Sequence, residues 1–81
     1  MKKRVKRHYH ENGKKSAEFT LINGRKHGVS IGYYKSGKKY YECPWVNGDK
    51  CGIEILWFES GELDGIITHK KNLWNGVAVI F

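Results

Sequence analysis

The stretches "YHENGKK" (Tyr9–Lys15), "YYKSGKK" (Tyr33–Lys39) and "WFESGEL" (Trp57–Leu63) stand 24 residues apart. Each holds an aromatic residue, a polar tip and a glycine at the same offset, and the register extends well beyond the tips. Gly28, Gly52 and Gly76 align, followed by Val29, Ile53 and Val77, then Ile31, Ile55 and Val79, then Tyr33, Trp57 and Phe81. Asn23-Gly24 aligns with Asn47-Gly48. The chain of 81 residues is an internal repeat, read as units 4–27, 28–51 and 52–75 with a partial unit 76–81, all within one domain spanning 1–81.

Inside each unit the apolar period is two. "GVSIGYY" and "GIEILWF" alternate β-branched and aromatic residues with no helical i, i+4 stripe, so they read as strands. Turn glycines between successive strands make neighbours antiparallel. The expected fold is all-β: a single-layer antiparallel meander of about seven short strands, built from three 24-residue β-hairpin repeats.

The tips "ENG", "KSG" and "ESG" suit three-residue loops ending in a left-handed glycine, which assigns Gly13, Gly37 and Gly61 a turn role rather than a phosphate-binding one. A two-residue loop would set Ile31 against Glu42 and Val29 against Pro44, mixing apolar with polar residues on one face, whereas the three-residue loop pairs Val29 with Cys43, Ile31 with Tyr41, Ile53 with Ile67 and Ile55 with Gly65 and is the expected register. This register gathers Phe19, Leu21, Val29, Ile31, Tyr33, Tyr41, Cys43, Trp45, Ile53, Ile55, Trp57, Leu63, Ile67, Val77, Val79 and Phe81 on one face. The opposite face begins polar, with Lys6, His8, His10, Glu18 and Ser30, and ends apolar, with Leu56, Phe58, Ile66, Ala78 and Ile80.

Written as "YYKSGKKYYECPWVNGDKCG", and more loosely as "YHENGKKSAEFTLINGRKHG", the units resemble MORN repeats in their bacterial variant form. The resemblance covers nearly the whole chain. It implies an elongated hairpin sheet without catalytic residues and a binding role, of the kind found in antitoxins of bacterial toxin-antitoxin pairs or in segments that touch proteins or membranes. Both end units depart from the pattern: Arg4 stands where later units open with glycine, and Asn72-Leu73 stand where Gly24-Arg25 stood.

Charge is divided along the chain. Residues 1–40 carry twelve Lys or Arg against Glu11 and Glu18, giving +10, whereas residues 41–81 carry three Lys against six acids, giving −3. A basic half attracts anionic partners. Lys2, Lys3, Arg4, Lys6 and Arg7 form a basic arm, and Lys14, Lys15, Lys38 and Lys39 follow two adjacent tips, where a row of lysines could track a phosphate backbone. Tyr34 and Tyr40 stand nearby as stacking platforms for unpaired bases.

Other chemistries find little support. The sequence has no nucleophile elbow or P-loop and no convincing acid-base pair, so no enzyme and no catalytic residue is expected. Cys43 and Cys51 lack the spacing of a zinc knuckle, and with Cys43 placed on the apolar face neither a metal nor another cofactor is expected. Two cysteines, and a basic start with no apolar run behind it, point to a reduced, cytoplasmic setting, and the resemblance to the bacterial repeat variant implies a bacterium or phage.

The leading expectation is therefore a protein-interaction module, an antitoxin-like inhibitor of a nucleic-acid-handling effector. It would bind through Tyr33, Trp45, Trp57, Phe58, Ile80 and Phe81 on the aromatic face and the C-terminal edge strand, where a toxin, an effector or a second copy of the chain could dock. Direct binding of RNA or single-stranded DNA through the basic half is the alternative. Peripheral attachment to anionic membranes is a weaker one.

Overall fold

The computed structural model describes residues 2–69 and the backbone of residues 78–80. It contains strands β1 (Lys3–Tyr9), β2 (Lys15–Ile22), β3 (Arg25–Lys26), β4 (Gly28–Tyr33), β5 (Lys39–Val46), β6 (Asp49–Lys50), β7 (Gly52–Trp57), β8 (Leu63–His69) and β9 (Ala78–Ile80), with no helix among the described residues. Seven of them follow the order β1-β2-β4-β5-β7-β8-β9, while the two-residue β3 and β6 pair with β2 and β5. All pairs are antiparallel. The described residues span 37 × 36 × 12 Å, the thickness of one sheet with side chains on both sides.

Each hairpin tip closes as the glycine pattern requires. In the second unit the Tyr34 N–H donates to the Lys38 carbonyl (2.8 Å) and the Gly37 N–H to the Tyr34 carbonyl (2.9 Å), with Gly37 at φ 93°. Gly13 and Gly61 repeat this at φ 87° and 96°. The second turn of the unit is a tight one, formed by Asn23-Gly24 (φ 50° and 81°) and again by Asn47-Gly48 (φ 50° and 85°), the paired left-handed conformations that a two-residue hairpin needs.

The register beyond the tips differs from the sequence expectation by one residue. Tyr33 lies opposite Lys39, but Gly32 lies opposite Tyr41, so Tyr40 is an extra residue on β5. The same irregularity leaves Ser16 extra on β2 and Asp64 extra on β8, again at intervals of 24. These are β-bulges, and because side chains alternate with a period of two, each flips the rest of its strand. Val29 faces Pro44 rather than Cys43, Ile31 faces Glu42 rather than Tyr41, Ile53 faces Thr68 rather than Ile67, and Ile55 faces Ile66 rather than Gly65.

The expected single apolar face is thereby divided. One face, here the inner, carries Phe19, Leu21, Tyr41, Cys43, Trp45, Leu56 and Ile67 together with Lys6, His8 and Ser30. The outer face carries Val29, Ile31, Ile53, Ile55 and Ile66 together with Glu18 and Glu42. A steric fit accompanies the bulge. Tyr41 lays its ring over Gly32, where an added Cβ would lie 2.2 Å from a ring carbon. The displaced Tyr40 packs against Tyr34 at a ring-centroid distance of 4.9 Å.

Successive units are also joined through side chains. His10 Nε2 meets the Tyr33 carbonyl at 2.9 Å, and one unit later the Tyr34 hydroxyl donates to the Trp57 carbonyl at 2.8 Å. Asn12 Nδ2 donates to the Lys35 carbonyl at 2.8 Å, linking the first tip to the second.

Candidate functional site

The inner face holds the most buried side chains among the described residues, and they are not aliphatic. Cys43 is 1% exposed, Ser30 3% and Glu54 8%. Ser30 and Cys43 are cross-strand partners on β4 and β5, and the β5–β7 register continues past the Glu42–Ile55 pair to bring Glu54 beside Cys43. From β8, His69 Nε2 reaches Glu54 Oε1 at 2.8 Å, and Lys50 Nζ lies 3.4 Å from the same oxygen. A buried carboxylate needs such partners to offset its lost hydration. One candidate ligand atom from each of Cys43, Glu54 and His69 can be chosen so that all lie within 4.8 Å of one another.

Long side chains roof this cluster. Lys26 Nζ lies 4.8 Å from the Phe19 ring centre and 4.7 Å from that of Trp45, and Lys50 Nζ is 5.7 Å from the Trp45 ring, an alternation of cations and aromatic faces. Beneath it is a hollow of about 310 Å³ lined in part by Ser30, Tyr41, Cys43, Trp45, Lys50 and Glu54. The buried Trp45 Nε1 has no hydrogen-bond acceptor in the structure. Burial, with the Glu54 charge adding to it, pushes the Cys43 thiol up to about 11. Burial also raises the Tyr41 hydroxyl, with Cys43 and Glu54 contributing. Cys43 is thus a neutral thiol at neutral pH, unsuited to nucleophilic chemistry.

The outer face has the opposite character. Val5, Val29 and Ile53 are 43%, 51% and 55% exposed and recur at the same place in each unit, 24 residues apart. Ile31, Ile55 and Ile66 extend this row of aliphatic side chains across the sheet. Toward the tips the face becomes charged. Arg7 Nε donates to Glu18 Oε2 at 2.6 Å and Lys15 Nζ donates to Glu18 Oε1 at 3.3 Å, and these hydrogen bonds, Arg7 first, hold the Glu18 carboxyl below its usual range. Lys39 pairs with Glu42 in the equivalent place, which raises the lysine. Lys15 lies over the Tyr33 ring at 5.4 Å and Lys39 over the Trp57 ring at 5.8 Å.

The structure separates several residues that the sequence reading had grouped. Tyr33 and Trp57 lie under lysines, Trp45 belongs to the inner roof, and Phe58 is 48% exposed at the third tip. The Ile80 backbone lies opposite Gly65, while Phe81 is outside the described residues. Of the tip lysines, Lys15 and Lys39 are held by Glu18 and Glu42, and Lys14 Nζ donates to the Ser36 carbonyl at 3.1 Å; Lys38 is exposed. On the basic arm, Arg7 is paired, and Lys3 is exposed on the side of β1 opposite Arg4 and Lys6. Lys2, Arg4 and Lys6 line a second hollow of about 380 Å³ with Leu21, Asn23 and Gly24.

The sequence reading missed the inner cluster of Ser30, Cys43, Glu54 and His69, and although it aligned Val29 with Ile53 it left out Val5 and placed the row on the face that holds Cys43. The 24-residue spacing of the row was a usable signal, whereas the cluster depends on the bulges.

No curated protein and no solved structure matches the chain. MORN repeats are generally non-enzymatic modules that bind proteins or membranes. Residues 26–47, which run from Lys26 of β3 through the second hairpin to the second Asn-Gly turn, match the family model of the MORN repeat variant.

Proposed function

We propose that the chain is a cytoplasmic, non-enzymatic protein-binding module whose outer face docks on a partner protein, as an antitoxin or an inhibitor of a nucleic-acid-handling effector would. The observation that carries this reading is the row of Val5, Val29 and Ile53, each about half exposed and repeated at the unit period. Aliphatic side chains left in water on a one-layer sheet gain free energy when a partner covers them. Lys15 and Lys39, paired with Glu18 and Glu42, frame the row, so a partner meets an apolar strip bordered by ion pairs.

The test is a tagged pull-down from host lysate, with and without nuclease, comparing the parent chain with Val29→Asp/Ile53→Asp. A stoichiometric protein that survives nuclease and is lost with the double variant supports the reading. Capture of no protein, or equal capture by the variant, overturns it.

Arg4, Leu21 and Lys26 form one cross-strand row on the inner face, with Lys6 and Phe19 in a neighbouring row. This basic strip favours a second reading, binding of single-stranded nucleic acid. That reading requires a steep loss of affinity with salt and a further loss in Arg4→Glu/Lys6→Glu. A flat salt response sinks it.

A further inference from the structure

We propose that Cys43, Glu54 and His69 form a three-ligand site for a divalent cation of the zinc class, with the open coordination position turned toward the inner hollow. Thiolate sulfur, imidazole nitrogen and carboxylate oxygen are the donors such an ion takes, and sulfur with nitrogen favours it over magnesium or calcium. The three donor atoms already lie within 4.8 Å of one another. Bonds of about 2.0–2.3 Å in a tetrahedral site place donors roughly 3.3–3.8 Å apart, so small rotamer changes suffice to close around an ion.

The framework holds these residues in place. They stand on β5, β7 and β8, consecutive strands of the main order, and all three face inward. Their side chains are largely withdrawn from water: Cys43 is 1% exposed, and the Glu54 and His69 side chains are 10% and 22% exposed. The hollow reaches Cys43 and Glu54 and provides both an entry route and room for a fourth ligand, such as water.

The charges balance as well. A thiolate and a carboxylate neutralise a 2+ ion, and neutral imidazole completes the set. On binding, the Cys43 thiol proton passes to solvent, and any proton shared between His69 and Glu54 leaves with it. Lys50 Nζ, which lies 3.4 Å from Glu54 in the metal-free chain, sits on a side chain 43% exposed and can turn into water. Lys26, the other cation lining the hollow, stacks on Phe19 and Trp45 rather than pairing with Glu54.

The test uses the full chain, reduced and freed of metal by chelation, titrated with Co²⁺ alone. The expected result is a thiolate-to-cobalt charge-transfer band in the near ultraviolet that saturates at one ion per chain and is abolished by Zn²⁺. Cys51→Ser retains the band and Cys43→Ser removes it. His69→Gln, checked for folding by circular dichroism, weakens binding by at least about tenfold. A parent chain with no charge-transfer band overturns the proposal without reference to any variant. A band that survives Cys43→Ser, or disappears in Cys51→Ser, also overturns it.

Discussion

The two faces of this sheet divide polarity in the reverse of the usual way. The inner face shields Ser30, Cys43 and Glu54, all less than a tenth exposed, while the outer face leaves Val29 and Ile53 about half in water. What a one-layer sheet buries depends on where long side chains can lie down, and here Lys26, Lys50, Trp45 and Tyr41 cover the inner face. The inner face is consequently the organised one, with hydrogen bonds and cation-aromatic contacts. The outer face has the character of an unfinished interface.

The sharpest way to break this contrast is Gly32→Val. Its Cβ would fall 2.2 Å from the Tyr41 ring, so the ring must leave and uncover the inner face, costing about 3 kcal/mol in urea denaturation. A smaller effect follows from the Cys43 thiol, raised from 9.0 to about 11. The unfolded thiol ionises first as pH rises, so its contribution is intact below pH 9 and is lost between 9 and 11. The expected loss is about 1–2 kcal/mol, since solvent in the hollow screens part of the shift, and metal-free Cys43→Ala should lack it.

Tyr34→Phe removes the hydroxyl that holds the Trp57 carbonyl. It should cost about 1 kcal/mol and speed hydrogen exchange where β5 meets β7 while leaving the two faces distinct. The smallest effect belongs to the outer face. Val29→Thr/Ile53→Thr keeps β-branched shape at exposed positions and should move thermal stability by no more than about 0.5 kcal/mol per site, even if partner binding is lost.

The parts of the fold legible in the sequence were those whose backbone demands a particular residue. Gly13, Gly37 and Gly61 marked the tips because a left-handed φ disfavours other residues, and the Asn-Gly pairs marked the tight turns for the same reason. The bulges at Ser16, Tyr40 and Asp64 left no such mark, since among the described residues the only non-glycines at positive φ are Asn23 and Asn47. Every assignment of a side chain to a face depends on those bulges. Matching apolar with apolar residues favoured the wrong register because it gave no weight to the fit of Tyr41 over Gly32 or to the cations that accompany Glu18 and Glu42 on the outer face.

The candidate sites were unevenly visible for the same reason. Lys15–Glu18 and Lys39–Glu42 stand close in sequence, but side chains three residues apart point to opposite faces of a regular strand, and only the bulges at Ser16 and Tyr40 let them pair, which is why the tip lysines are not all free. Cys43, Glu54 and His69 come from three strands, and only the flipped register brings them together.

The bulges also constrain how such a chain can change length. An insertion of one whole 24-residue unit would carry its own extra residue, widening the sheet while leaving each surface facing the way it did. Loss of the single residue Glu42 would instead turn the remainder of β5 over, setting Cys43 on the outside against Ile31 and Pro44 toward the interior. Selection on such a protein should therefore tolerate duplication of a unit far better than a one-codon slip within it.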